Sequence, residues 1–382
     1  MIKINLGSSF TKWAIAFFTI ILINVSCTKS DPGTVGGSNY PASPPPPLPL
    51  PTGTNGLSNF NQINLVASNT SYNAVRTDNL FQNAWGISFS ASGNIWSSAN
   101  ITGYSFVYDK DGKQLLLPVS IPKPAAAGGG GVTGQVFSGG ANFILPNGSP
   151  AAFIFATQEG VIAGWNNGNI SNAVTKINNS ATASYFGLAL ASNMGVNYIY
   201  AANFKESTID VFDNNWQRVN MKFIDPSLPA QYSPFNIQKI GDKLYVLYAK
   251  VDYYGTEIHQ AGLGIVDVFS TDGSFVKRFI SYGELNSPWG IAKAPSSYFG
   301  ADSTAFSNTI LVGNFGDGHI NAYNENGTFL GPIQSHGKTL VIDGLWAISF
   351  PPVTATGIDP NRLYFEAGPN QEKDGLFGYI MK

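Results

Sequence analysis

A single cysteine in 382 residues leaves no disulfide framework open to this chain, and three histidines leave little for a histidine-rich catalytic centre. Charge is scarce as well: 12% of the residues are Asp, Glu, Lys or Arg, and 21 basic against 23 acidic side chains give a net charge of -2. That balance supplies no broad basic surface for a phosphate backbone, so nucleic acid is not an expected partner. The sequence has no G-x-S-x-G elbow, no H-E-x-x-H and no C-x-x-C, which removes three common signatures of hydrolytic, zinc and thiol chemistry. From residue 60 onward no long helical periodicity runs through it. What is abundant is 42 Gly, 26 Phe and 17 Tyr, a bias toward strands joined by tight turns.

The N-terminus reads as an export signal. Lys3 and Lys12 precede an apolar stretch of 13 residues, Trp13 to Val25, which is short for a bilayer span of ~20 residues. Asn24-Val25-Ser26-Cys27 follows and resembles a bacterial lipobox: Ser26 supplies the small residue, while Asn24 stands where an aliphatic one is usual. The resemblance implies a lipoprotein signal peptide over 1–26, a lipid on Cys27, and anchoring to the bacterial cell envelope, with the outer membrane as the expected destination. Residues 27–57 carry only Lys29 and Asp31 as charges and include PASPPPPLPLP. Such a segment favours extended polyproline II at ~3.1 Å per residue, hence a tether; a polyproline ligand for a partner domain is the sharper alternative.

Over 58–382 a four-part unit recurs, and this repeat decides the fold. Its first part is a strand with a bulky residue followed by a small one: Trp85-Gly86, Phe186-Gly187, Trp289-Gly290 and Trp346-Ala347, with Thr133-Gly134 and Phe235-Asn236 in the remaining two units. The starts fall at 85, 133, 186, 235, 289 and 346. Second strands such as Asn94 to Asn100 and Tyr198 to Asn203 follow, then third strands ending in a large residue. Asp111-Gly112, Asn167-Gly168, Asp272-Gly273 and Asn326-Gly327 sit where a two-residue hairpin turn would accept positive φ. Four antiparallel strands in each of six units predict an all-β, six-bladed β-propeller. The sixth unit ends after its third strand, so Gln62 to Val66 is expected to supply its fourth and close the ring.

Several stretches resemble a family of secreted bacterial proteins related to NHL-type propellers, some of whose members carry a PEP-CTERM sorting tail. They are Asn83 to Phe89, Phe153 to Gly160, Tyr200 to Phe204, Asn286 to Gly290, Gly313 to Gly318, Asp343 to Ala347 and Ala367 to Asn370. The resemblance implies the fold and export, and brings no activity with it.

Candidate site residues come from the second-strand ends. Aligned there, Asn100, Gln158, Asn203 and Asn314 fall at equivalent places, with Ala249 and Ala367 in the other two units. Glu159, Glu206, Asp252, Asp317, Asn370 and Asp374 follow closely. One mouth of the propeller is therefore expected to be ringed by amides and carboxylates, a ligand site that could also hold Ca²⁺ or another divalent cation through hard oxygen donors. The competing reading is that an Asn at a strand end satisfies loop backbone. In the blade 4 insertion, Asp252, Glu257 and His259 form the best metal cluster on offer, though their spacing is not tight. Trp85, Trp289 and Trp346 are expected to pack between blades. These features favour an envelope lipoprotein acting as a ligand- or protein-binding scaffold, with an envelope protein or a glycan as partner. The alternative is a metal-dependent lactonase- or esterase-like hydrolase with a cation at the mouth; six-bladed gluconolactonase-type enzymes resemble this architecture, but Asn83 stands where their first-blade acid is expected.

Overall fold

Each repeat unit folds as one antiparallel sheet, and six sheets stand around a common axis as a β-propeller. A computed structural model describes residues 54–382 except 141, 170, 303 and 304. Residues 1–53, with Cys27 and most of the tether, lie outside the described residues. Blade 1 comprises Ala84–Phe89, Ile95–Ala99, Tyr104–Tyr108 and Gln114–Ser120 in that spatial order. Blade 2 begins with Val132–Phe137 and Phe153–Thr157, blade 3 with Tyr185–Asn193 and Val196–Asn203, and blade 4 with Tyr232–Ile240 and Lys243–Lys250. Blade 5 begins with Pro288–Lys293 and Ile310–Asn314. In blade 6 the strands are Leu345–Ser349, Leu363–Ala367 and Leu376–Met381.

The ring closes as the sequence predicts. Asn61–Ala67 pairs antiparallel with Leu376–Met381, so the first described strand becomes the fourth of the last blade. Arg76–Thr77 then adds a fifth, parallel strand outside it, through Val66 to Arg76 and Ala67 to Thr77. Leu65 and Val66 are buried against Phe81, Phe106, Tyr108, Tyr364 and Phe377, the apolar layer between blades 6 and 1. Burial reaches back to Leu57, which joins Phe60, Tyr298, Phe299 and Phe306 around the lengthened first hairpin of blade 5.

The small residue of each unit is a steric requirement at the axis. A Cβ on Gly86 would come 2.1 Å from the carbonyl oxygen of Thr133 in blade 2, and one on Gly134 would come 2.4 Å from the Leu188 amide in blade 3. Where blade 4 carries Asn236 instead, Gly187 leaves the room it needs, and the amide spans the gap by donating from Nδ2 to Trp289 O at 2.7 Å.

The turns differ from the two-residue form expected. Asp109 N donates to Lys113 O, Gly112 N donates to Asp109 O, and only Gly112 takes a positive φ, of 82°. This is a type I turn followed by a left-handed residue, with Asp109 Oδ1 accepting from the Asp111 and Lys113 amides at 2.9 Å. The same arrangement recurs at Ser270 to Ser274 and Asn324 to Thr328. Asn167-Gly168 instead lies in the short 3₁₀ turn Asn167–Asn169. Blade 3 builds the turn from Asp213 to Gln217 with Trp216 in the glycine position at φ 66°. That indole is held over blade 2 by Phe143, 5.1 Å away, and by its Nε1 donating to Ile144 O at 3.0 Å.

The closing seam also encloses a carboxyl group. Glu366 is fully buried between blades 6 and 1, where Ser97 Oγ and the Ser98 amide donate to it and Oε2 has no partner among the described residues. Arg76, Asp78, Tyr108 and Tyr364 are among the other ionisable groups around this seam, with Arg362 and Asp111 paired at its outer edge, and burial pushes the Glu366 carboxyl well above its ordinary range. Two outcomes follow for stability. Leu65→Ala should cost about 2–5 kcal/mol in chemical denaturation by loosening the closing strand. Because native Glu366 holds its proton more tightly than the unfolded chain does, its contribution is most favourable below ~4.3, the unfolded carboxylate value, and is lost as pH rises toward the native one. Glu366→Gln should therefore flatten the fall in denaturation midpoint between acid and alkaline pH, while the parent protein keeps it.

Candidate functional site

At the end of the channel where first strands begin and second strands end, large aromatic side chains meet across the axis. Trp85, Phe186, Phe235, Trp289 and Trp346 come from the bulky position of five blades, and Phe204 and Phe315 come from the residue after two second strands. Trp85 stacks on Trp346 at 3.6 Å between centroids, Trp346 stacks on Phe315 at 3.8 Å, and Phe186 stacks on Phe204 at 4.5 Å. The tryptophans expected between blades thus pack on the axis instead, because the inner strands are too close for their rings to fit anywhere but inside the channel. Blade 2 has Thr133 at this position, and its buried Oγ1 donates to Tyr185 O at 2.8 Å. Below this plug remains a cavity of about 20 Å³ beside Gly86, Gly134, Gln135 and Asn236, the size of one water molecule.

The plug forms the floor of the mouth, and polar groups stand on it. Trp346 Nε1 donates to Asn83 Oδ1 at 2.9 Å, and Asn83 Nδ2 donates to Glu372 Oε2 at 2.8 Å. Asn83 therefore transmits a fixed orientation from the floor to a carboxylate on the rim. The blade 4 insertion reaches the same place: His259 packs edge-on to Phe315 at 5.0 Å, its Nε2 lies 3.4 Å from Glu257 Oε1, and Ser287 Oγ donates to Ile258 O at 3.1 Å. Hydrogen bonding to Glu257 raises the His259 pKa, against the opposing effect of partial burial, and Glu372 adds to the rise. Burial raises the Glu372 pKa, the bond from Asn83 holds it down, and the Glu257 charge lifts it further.

The residues proposed from the second-strand ends divide into separate groups. Ladder pairing sets the level: Ile87 pairs with Ser97, Gln135 with Phe155, Leu188 with Ala201 and Ile291 with Val312. Counting onward, Asn203 and Asn314 share a level with Ala99, whereas Asn100 and Gln158 lie one residue further, level with Phe204 and Phe315. The equivalence of all four is thereby corrected: the four first strands share the same register shift near their starts, and the second strands of blades 1 and 2 carry their polar residue one position later, after Ala99 and Thr157. Asn100 Nδ2 donates to Gln158 Oε1 at 3.1 Å, and both Glu159 oxygens accept from the Gly131 amide at 3.0 Å. This trio fills the sector of the mouth near Thr133, where the aromatic ring is interrupted.

The others satisfy local backbone and neighbours. Asn203 Oδ1 accepts from the Ser184 and Glu206 amides, and its Nδ2 donates to Asp210 at 3.1 Å. Asn314 donates to Glu284 O at 2.7 Å, Asp317 accepts from Asn286 at 3.1 Å, and Asn370, at φ 58°, donates to Asp374 at 3.2 Å. Asp252 is drawn away from Glu257 and His259 by its own turn, where Oδ1 accepts from the Tyr254 and Thr256 amides at 2.8 and 2.9 Å. Glu372, which sequence reasoning missed, approaches the pair in its place. Among the described residues no three His, Cys, Asp or Glu side chains are grouped so as to hold a metal ion.

No family model matches the chain. Uncharacterized protein L690 of Acanthamoeba polyphaga mimivirus is 33% identical over 336 residues, which cover 84% of this chain and 86% of that protein. Uncharacterized protein R648 of the same virus is 33% identical over 337 residues, covering 84% and 80%. Among solved structures, the soluble aldose sugar dehydrogenase of Escherichia coli superposes with a TM-score of 0.49 at 13% identity over 84% of this chain and 99% of that one. A streptogramin B lyase structure gives 0.48 at 12% identity over 84% and 97%. These structural likenesses extend to the propeller fold and no further.

The polar relay predicts a measurable coupling. Glu257→Gln should lower the His259 pKa in an NMR titration of its imidazole protons, since the carboxylate that holds the charge is gone. The stability that charged His259 contributes is complete below ~6.5 and disappears as pH rises through its native value, so the variant should lose stability on the acid side only. Asn83→Ala should destabilise by about 1–3 kcal/mol for each partner it orphans, Trp346 Nε1 and Glu372, and should raise the Glu372 pKa further.

Proposed function

This chain belongs to the family of the mimivirus proteins L690 and R648, and from its own sequence and mouth geometry we propose that it is a binding module of the cell envelope that recognises its ligand at the aromatic-floored mouth of the propeller. The observation that carries the reading is the convergence of the aromatic plug with Asn83, Glu257, His259 and Glu372, drawn from blades 1, 4 and 6 onto one surface. A rigid ring presents loops from every blade around one axis, and apolar surface edged by a few oriented polar groups is what a specific ligand site requires. A glycan or an envelope protein is the partner class this reading accommodates.

Anchoring belongs to the same proposal. The basic residues Lys3 and Lys12, the apolar stretch to Val25 and Ser26-Cys27 support export and lipidation at Cys27, with 27–57 as a spacer holding the propeller away from an outer-membrane surface. Among the described residues no helix is long and apolar enough to cross a membrane.

Two measurements test this. Cells expressing the full chain and fed an alkynyl fatty acid should label the protein in the membrane fraction, and Cys27→Ser should abolish both label and fractionation; an unlabelled parent protein refutes the anchor. Ligands recovered by screening should protect 251–259 and 370–374 from hydrogen exchange. Protection confined to the opposite opening of the channel, around Lys239 and Phe350, would refute the mouth as the recognition surface.

A further inference from the structure

We infer that the mouth holds a short neutral saccharide in the cleft between blades 3 and 4, an assignment that rests on the binding reading above. The cleft measures about 450 Å³, within the ~300–1,000 Å³ of small-molecule sites. Its inner wall is the stacked pair Phe186 and Phe204, part of the axial plug and therefore unable to turn away. Sugar C–H groups carry partial positive charge and favour the negative face of such rings.

The rest of the lining matches a polyhydroxy ligand in hydrogen-bond type. Ser184 and Thr256 contribute hydroxyls that both donate and accept, Lys205 only donates, and Glu257 only accepts when ionised, while Ser233 donates to Phe204 O and bonds Ser207 Oγ at 3.0 Å. One positive and one negative side chain cancel, so the cleft selects neither an anion nor a cation by charge. Lys205 is fixed by donating to Ala181 O at 2.9 Å, and Glu257 Oε1 lies 3.4 Å from His259 Nε2, so the donor and the acceptor of the lining are both anchored. Tyr254 stands at the outer edge with 87% of its surface exposed, next to Gly255 at φ 81°. An exposed tyrosine on a turn beside an aromatic wall is the natural second face for a sugar ring, and its hydroxyl remains wet while its ring covers the ligand. The Asp252 turn fixes the backbone that carries Tyr254 at the edge of the cleft, with Asp252 Oδ1 accepting from the Tyr254 amide at 2.8 Å.

The test uses the full-length protein purified in detergent, titrated calorimetrically with chitotriose, cellotriose and maltotriose, and incubated with chitin, cellulose and amylose resin to separate free oligosaccharide from polymer recognition. Glycylglycine serves as the zwitterionic probe. Binding of at least one saccharide, weakened roughly tenfold or more by Tyr254→Ala and by Glu257→Gln with thermal unfolding unchanged at alkaline pH, where His259 is neutral in both proteins, and unaffected by Lys239→Ala, supports the inference. No binding by the saccharide panel, or saccharide binding indifferent to both cleft variants, overturns it. Glycylglycine binding that Tyr254→Ala removes, with no saccharide bound, overturns the saccharide and leaves the mouth as a site. Binding lost only in Lys239→Ala overturns both readings together.

Discussion

The distance between the six inner strands governs the rest of this molecule. At Gly86 and Gly134 the neighbouring strand comes so close that even a methyl group would overlap backbone atoms. A side chain cannot point sideways there, so the bulky residue just before it must enter the channel. Five blades do this with Trp or Phe, and the result is a plug whose members stack at 3.6 and 3.8 Å. The bulky-small pair that recurs through the sequence is thus one steric rule: room for backbone at one position, filling of the axis at the next.

Filling the axis has a functional consequence. A propeller with an open channel can bind a ligand or a cation on the axis itself, between all blades. Here indole and phenyl rings occupy that space at the mouth, with about 20 Å³ beneath them before the channel opens at its far end around Lys239 and Phe350. At the mouth end the loops, and not the axis, then offer the open surface. The blade 4 insertion is the element with the reach to exploit this, since it carries Tyr254, Glu257 and His259 onto the plug and toward Glu372 of blade 6. Two of the three indoles in the plug use their polar atom, Trp289 Nε1 donating to Phe186 O at 3.0 Å and Trp346 Nε1 to Asn83, while Trp85 Nε1 has no partner among the described residues.

The repeat, the blade count and the closing strand were legible in the sequence because each is a short-range pattern: alternation, a turn residue, a missing fourth strand. Features that depend on register or on distant contacts were not. Asn100 and Gln158 follow Ala99 and Thr157 and so stand one level from Asn203 and Asn314, although all four lie at the ends of similar strands. Asp252 looked like a ligand because it is acidic and near a histidine, yet an Asp followed by two residues and a Gly is the same turn signal that blade 1 uses at Asp109. Trp216 concealed a turn, since only tertiary contacts with Phe143 and Ile144 make a left-handed tryptophan tolerable. The approach of Glu372 to His259 joins blades 6 and 4, and no local spacing announces it.

Charge completes the argument for where function resides. Four acidic side chains are buried in the described residues: Asp210, Asp225, Asp267 and Glu366. Three of them are met by arginine, Arg218 on Asp210 and Arg278 on both Asp225 and Asp267, and the burial that pushes Asp267 up to about 7 is opposed by that guanidinium. Asp210 and Asp267 are paired within blades 3 and 4, and Asp225 ties the connection between those blades to Arg278. The mouth acids are treated differently. Glu257 faces a histidine whose charge depends on pH, and Glu372 receives one amide hydrogen bond, so neither is neutralised by a permanent cation. In a chain with so few charges, carboxylates left with free acceptor capacity beside an aromatic wall are the groups available to a ligand.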